Sequence, residues 1–251
     1  MKPDNYKVYK NSTVKKVIFQ IKFSNLFIIE NRIGDFQAEI IKKFPESSFA
    51  TRRELLFADV GPEFKMEQIP SKEKTGRKIW RFKSKKGYEL SVLTNSLAII
   101  SKKHRSYYGY DEEEGFREII EFVMEKFLEL IPLEEIRRIG LRYIDDAPIP
   151  PLETEGFNKW YNTAFPLNRF KLNNVEKMEF KVSSAKIDNY ELNFRETFQK
   201  ERNAKNEEIE IKYYLDFDGY AKDVSKDNYL KVLDDLHTLV HKEWSQNTIK
   251  D

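Results

Sequence analysis

A chain of 251 residues is long enough for one large domain or two of about 100–150 residues, and 40% hydrophobic content with 19 Phe and 13 Tyr excludes wholesale disorder. Its 44 basic and 42 acidic side chains leave a net charge of +2, so any surface for nucleic acid or an anionic membrane has to be a local patch. The absence of cysteine excludes disulfides, cysteine-ligated zinc, iron–sulfur clusters and a thiol nucleophile. The first residues, Met1-Lys2-Pro3-Asp4-Asn5-Tyr6, lack the apolar core and cleavage site of a signal peptide. Apolar runs such as residues 26–29 fall far below the roughly 20 residues that span a bilayer. A cytoplasmic protein without membrane contact is expected.

Taken in order, residues 14–23 alternate as a strand, with Val17, Phe19, Ile21 and Phe23 on one face. Ile29, Ile33, Phe36, Ile40, Ile41 and Phe44 then recur at helical spacing until Pro45 stops the helix. Residues 52–60 read as a second strand closed by Gly61-Pro62, and 63–76 as a polar loop. A meander follows. Strands over 78–84 and 88–94 are joined by Lys85-Lys86-Gly87, and Asn95-Ser96 turns the chain into a strand over 97–102. Asp111-Glu112-Glu113-Glu114 precede Phe116, Ile119, Ile120, Val123, Phe127, Leu128 and Ile131, an amphipathic helix with acids at its positive end. Pro132 closes it.

Residues 138–146 open the second half as a strand, the proline-rich segment 147–151 is a connection, and a short helix is predicted over 155–162. Strands are predicted over 175–183 and 186–198, with Ser184-Ala185 as their turn. In residues 208–217, Ile209, Ile211, Tyr213, Leu215 and Phe217 share one face. Asp218-Gly219 is expected to turn the chain, and 227–244 to form a terminal helix on Leu230, Leu233, Leu236, Val240 and Trp244.

The two halves, 1–134 and 135–251, thus repeat one plan of strand, helix, meander and helix, without a residue-level repeat. The expectation is an α+β fold with antiparallel sheet packed on long helices and an internal duplication. The same element order occurs in the duplicated fold of the TATA-box-binding protein and, more loosely, in helix-grip proteins, a topological comparison that carries no function. Either a strongly curved sheet packs on the long helices, or the helices flank one continuous sheet shared by both halves.

The stretch Arg137-Arg138-Ile139-Gly140-Leu141-Arg142-Tyr143-Ile144-Asp145-Asp146 resembles the central signature of a sporadically distributed family of bacterial and archaeal proteins without an assigned activity. Two further passages agree with it. Ile79-Trp80-Arg81-Phe82-Lys83-Ser84 with Tyr88-Glu89-Leu90-Ser91-Val92 is similar to that family's aromatic hairpin, and residues 233–244, including Leu236-His237, to its closing helix. Asp145-Asp146 stands where the family pattern carries an Asn-containing polar pair. The resemblance implies a shared fold over most of the chain and assigns no residue a role.

In the strand over 138–146, Ile139, Leu141 and Tyr143 share one face, and Arg138, Gly140 and Arg142 the other. A strand-interior glycine points to close backbone approach, a bulge, or a large neighbour over the missing side chain, such as Trp80, Trp160 or a tyrosine. The arginines form a planar donor pair suited to carboxylate or phosphate. Alternatively, acids on adjacent strands neutralise them, Glu191 being one option, and Gly140 serves packing. Asp145 and Asp146 either join other carboxylates at a metal or accept backbone N–H bonds in the following turn. His237 and His241 share one helix face with Asp234 a turn earlier, a zinc-like spacing in which Thr238 replaces the glutamate base of a zincin. The other reading makes His237 a core-edge histidine.

Lys83, Lys85 and Lys86 with Lys102, Lys103, His104 and Arg105 gather charge at adjoining meander ends, and Tyr107, Tyr108 and Tyr110 follow. Such a pattern tracks single-stranded nucleic acid; the alternative is a solvated loop whose tyrosines pack on the next helix, its charge offset by the acids at 111–114. No phosphate loop, dinucleotide fingerprint or nucleophile elbow is present. The leading expectation is a non-catalytic module without a cofactor, binding a small anionic ligand, peptide or partner protein through Arg138, Gly140, Arg142, Asp145, Asp146 and Trp80, with homodimerisation left open. A nucleic-acid-binding protein of a defence or regulatory system is the second expectation, and a metal-dependent hydrolase using His237, His241 and Asp145 or Asp146 the third.

Overall fold

Apolar and polar residues alternate strand by strand, and pairing those strands produces one antiparallel sheet. The computed structural model describes residues 13–52, 77–110, 113–150, 152, 154–202 and 209–247. In chain order the elements are β1 (Val14–Lys22), α1 (Ile28–Ile40), β2 (Glu46–Arg52), β3 (Arg77–Lys83), β4 (Tyr88–Leu93), β5 (Ser96–Ser101), α2 (Phe116–Leu130), β6 (Glu135–Asp146), α3 (Thr154–Trp160), β7 (Lys177–Ile187), β8 (Tyr190–Arg202), β9 (Ile209–Ser225) and α4 (Tyr229–Asn247). Among the described residues nine strands stand in the order β2-β3-β4-β5-β1-β6-β9-β8-β7. The opening strands of the two halves, β1 and β6, pair antiparallel at the middle, with Phe19 opposite Leu141. Beside each lies the last strand of its own meander, β5 or β9.

One face of this sheet is apolar and covered. Val17, Phe19 and Ile21 of β1 share it with Leu97 and Ile99 of β5 and with Ile139 and Leu141 of β6, all fully buried. The helices close over it with Phe36 and Ile40 from α1, Ile120 and Val123 from α2, and Leu233 and Leu236 from α4. Phe36 stands edge-on to both Phe82 and Phe127. Each such side chain contributes about 1.5–3 kcal/mol by leaving water, so this layer supplies the main driving force for the fold. The opposite face carries no helix among the described residues.

Several expected boundaries move. The helix α1 ends at Ile40, and Ile41 is turned out of the apolar stripe, 46% exposed. Of the strand expected over 52–60 only Arg52 lies within the described residues, where it ends β2. Ser184-Ala185 is not a turn. β7 continues to Ile187, and Asp188, at φ +53, opens the two-residue connection to β8. Ser183 and Ser184 together face Asn193 as a bulge, with Ser184 at φ +54 and its N–H donated to Asn193 Oδ1 at 2.9 Å.

Asp218-Gly219 does not turn the chain either, because β9 runs unbroken from Ile209 to Ser225. Gly219 pairs with Leu141 and Leu192 in mid-sheet, and a Cβ there would come 3.0 Å from Val240 Cγ2. Glycine fits the close approach of α4, a packing reason that looks like a turn signal in one dimension.

Candidate functional site

The alternation of β6 sends Arg138, Gly140 and Arg142 to the helix-free face, where β9 supplies their partners. Arg138 Nη2 donates to both Asp218 oxygens at 2.9 and 2.8 Å, and its guanidinium lies 4.3 Å over the Tyr220 ring. It crosses Gly140 to do so: a Cβ on Gly140 would meet Arg138 Nη1 at 2.6 Å. The large neighbour over the glycine is thus Arg138 itself. Trp80 lies four strands away and shares its register with buried Val92, on the covered face.

Arg142 grips Asp216 side-on, Nε to Oδ1 at 2.7 Å and Nη2 to Oδ2 at 2.5 Å, and this bonding raises its pKa above the ordinary arginine value. Glu191 partners neither arginine. Lys222 Nζ and the Tyr220 hydroxyl donate to it, both at 2.7 Å, and those bonds hold its pKa below the ordinary value. Both arginines are therefore neutralised by acids on β9, with Asn193 donating further to Asp218 at 3.0 Å.

Beside this ladder lies a polar pocket of about 190 Å³, lined by Arg142, Lys181, Asn193, Arg195, Asp216 and Asp218 among others. Its two acids are taken by Arg142 and Arg138, which leaves Lys181 and Arg195, directly opposite each other on β7 and β8, without an ion pair among the described residues. The Arg195 Nε is buried with no hydrogen-bond partner among the described residues. Burying a guanidinium N–H unpaired costs free energy.

The remaining expected residues are used elsewhere. Alternation sends Asp145 and Asp146 to opposite faces. Asp145 is buried on the covered side, accepts the Thr13 hydroxyl at 2.7 Å, and is pushed up to about 6 by burial, which outweighs the lowering by the Thr13 and Trp244 side chains. Asp146 faces Lys15 at 3.5 Å. His237 is half-buried at the edge of the core, stacked 3.9 Å from Tyr107, with Nδ1 3.1 Å from the Tyr143 hydroxyl. Its ring lies 6.3 Å from that of His241, and no group of acids and histidines able to hold a metal occurs among the described residues.

Tyr107 and Tyr108 are 2% and 8% exposed, so neither offers a ring face to a base. Tyr107 donates to Asp234 at 2.8 Å, and Arg117 grips the same carboxylate, tying the meander end to α4. Lys102 pairs with Glu89, Lys86 with Glu114 and Arg105 with Glu113, while Lys103 lies along Gly87. Lys83 and Lys85 keep no ion pair among the described residues, and Lys83 points to the helix-free face with Arg81.

The fold and its site define an α+β protein with one apolar, helix-covered sheet face and one face that carries no helix among the described residues. Comparison with protein-family models, curated proteins and solved structures gives no match, so chemistry rests on geometry. No helix among the described residues is long and apolar enough to cross a membrane. Arg195, Lys181 and Asn193 escape motif reading because each lies in an ordinary alternating strand. The signal available was the polar face of β8, where Glu191, Asn193 and Arg195 follow at every second position.

Proposed function

We propose that this protein is a non-catalytic binding module that takes an anionic group into the polar pocket of the open sheet face. The observation behind this reading is the Arg195 guanidinium, partly buried and unpartnered beside Lys181, in a pocket whose other cation is already neutralised. Arg195 and Lys181 are the ligand-gripping groups, and Asn193 orients the anion. Arg138 and Arg142 hold β6 to β9, and Arg142 forms part of the pocket wall. The same reading treats the two halves as copies of one unit, supported by the strand order on either side of the β1–β6 seam. The resemblance to the sporadically distributed family would extend it to other members.

Thermal unfolding in sodium phosphate against sodium chloride at matched ionic strength tests the pocket. A ligand that binds only the folded state raises its stability by mass action. The wild type should melt higher in phosphate, and Arg195→Met should lose that response while keeping its melting temperature in chloride. An equal phosphate response in Arg195→Met would remove the pocket from consideration.

A further inference from the structure

The pocket is one end of a longer cationic track. Register carries the open face across the whole sheet. Arg81, Ser91, Ala98, Gln20, Gly140 and Tyr220 stand in one row, each directly opposite the next on neighbouring strands. In parallel rows on that face stand Lys16 and Lys22 of β1, Lys83 of β3, and Lys181 and Arg195 at the far side. None of these, nor Arg81, enters an ion pair among the described residues.

The acids of the same rows are consumed: Glu89 by Lys102, Glu191 by Lys222, Asp216 by Arg142 and Asp218 by Arg138. Glu46, at the sheet edge opposite Lys83, is an exception. A net charge of only +2 thus conceals a face on which the uncompensated charge is mainly positive. From β3 to β7 the track crosses seven strand spacings, about 34 Å at roughly 4.8 Å each. That is about one turn of a B-form duplex.

We infer that the open face binds double-helical nucleic acid through its phosphates, with the anion pocket gripping one phosphate at the end of the track. The inference rests on the anion-pocket reading and extends it. The floor of the central row over β4, β5 and β1 is uncharged, Ser91, Ala98 and Gln20, and beyond it the Arg138 guanidinium lies across Gly140. Tyr220 is covered by Arg138, and Tyr214 by Lys15 at 4.8 Å. No ring on this row is free to stack an unpaired base, so contacts fall on the backbone and carry no sequence preference.

The test is fluorescence anisotropy of a labelled mixed-sequence duplex of about 20 base pairs, titrated at several salt concentrations. Log affinity should fall linearly with log salt, with a slope of about −4 to −5 for five or so neutralised phosphates. Arg81→Ala with Lys22→Ala, both exposed and unpaired, should reduce that slope by about 2 and leave the phosphate thermal response intact. Arg195→Met should reduce it by about 1 and abolish that response. Duplex binding absent while phosphate still stabilises the protein overturns the duplex and spares the pocket; loss of both overturns both readings. Tighter binding to a single strand of equal length, or to phosphatidylserine vesicles, likewise overturns the duplex.

Discussion

Replacing Gly140 by alanine should destabilise the protein even though alanine suits a strand interior better than glycine. The new Cβ would sit 2.6 Å from Arg138 Nη1 and 3.1 Å from Cζ, where ordinary contact begins at 3.4 Å. The guanidinium has to shift by about 1 Å to restore ordinary contact, which distorts and weakens its bonds to Asp218, now 2.8 and 2.9 Å. The pair is mostly withdrawn from solvent, its side chains 20% and 21% exposed. Losing a charge-assisted bond there costs about 1.5–3 kcal/mol, and alanine returns about 0.5–1 kcal/mol of backbone entropy. A net loss of about 1 kcal/mol remains. Equilibrium urea unfolding at neutral pH measures it, and an unchanged slope would show that the unfolded state is not the cause. In an Arg138→Met background the same substitution should become neutral or stabilising, a coupling of about 1 kcal/mol or more. Neutrality of Gly140→Ala in the Arg138-containing protein would refute the claim that the arginine occupies the space of the missing side chain.

Three further outcomes follow from buried groups. Burial lowers His104 to about 4 and His237 to about 3, the latter aided by His241 and His104, from an ordinary 6.5. Their contribution is full above about pH 6.5 and is lost as the pH falls towards 4, because the unfolded chain then binds the extra protons. Asp145, raised from 3.8 to about 6, favours the folded state in acid, but one carboxylate opposes two imidazoles. The urea midpoint should therefore drop between about pH 7 and pH 5, and a flat profile would contradict the burial of both rings. Gly219→Ala should cost about 1–2 kcal/mol by pushing α4 outward, and Val240→Ala should partly relieve it, measured as a less-than-additive double mutant. Glu196, 1% exposed, accepts from the Tyr213 hydroxyl at 2.6 Å, from Ala164 N at 3.1 Å and from the Thr163 hydroxyl. Glu196→Ala orphans these donors and should cost about 2–4 kcal/mol by thermal denaturation, with Glu196→Gln losing less.

Most elements were legible because hydrophobic period is local information. The alternation of Val17, Phe19 and Ile21 and the stripe of Phe116, Ile120, Val123 and Phe127 each fix an element and its buried side within one segment. Gly219 and Ser184 were misleading for the opposite reason. A glycine beside an aspartate and a serine pair read as turns, whereas here an approaching helix and a bulge, both tertiary facts, decide their roles. The neutralised state of Arg138 and Arg142 was available as one of two readings, but the identity of Asp216 and Asp218 as partners required the β6–β9 register. Arg195 was invisible because its lack of a partner is a property of neighbouring strands.

The β1–β6 seam has a consequence for how the chain is made. Phe19 waits for Leu141, more than 120 residues later, whereas its other neighbour, Ile99 of β5, arrives sooner. Contacts so distant in sequence carry the largest loop-closure cost and form slowly. A nascent chain released only as far as α2 therefore presents β1 as a naked, half-apolar edge, the kind of surface that recruits another copy. Synthesis of β6 seals that edge.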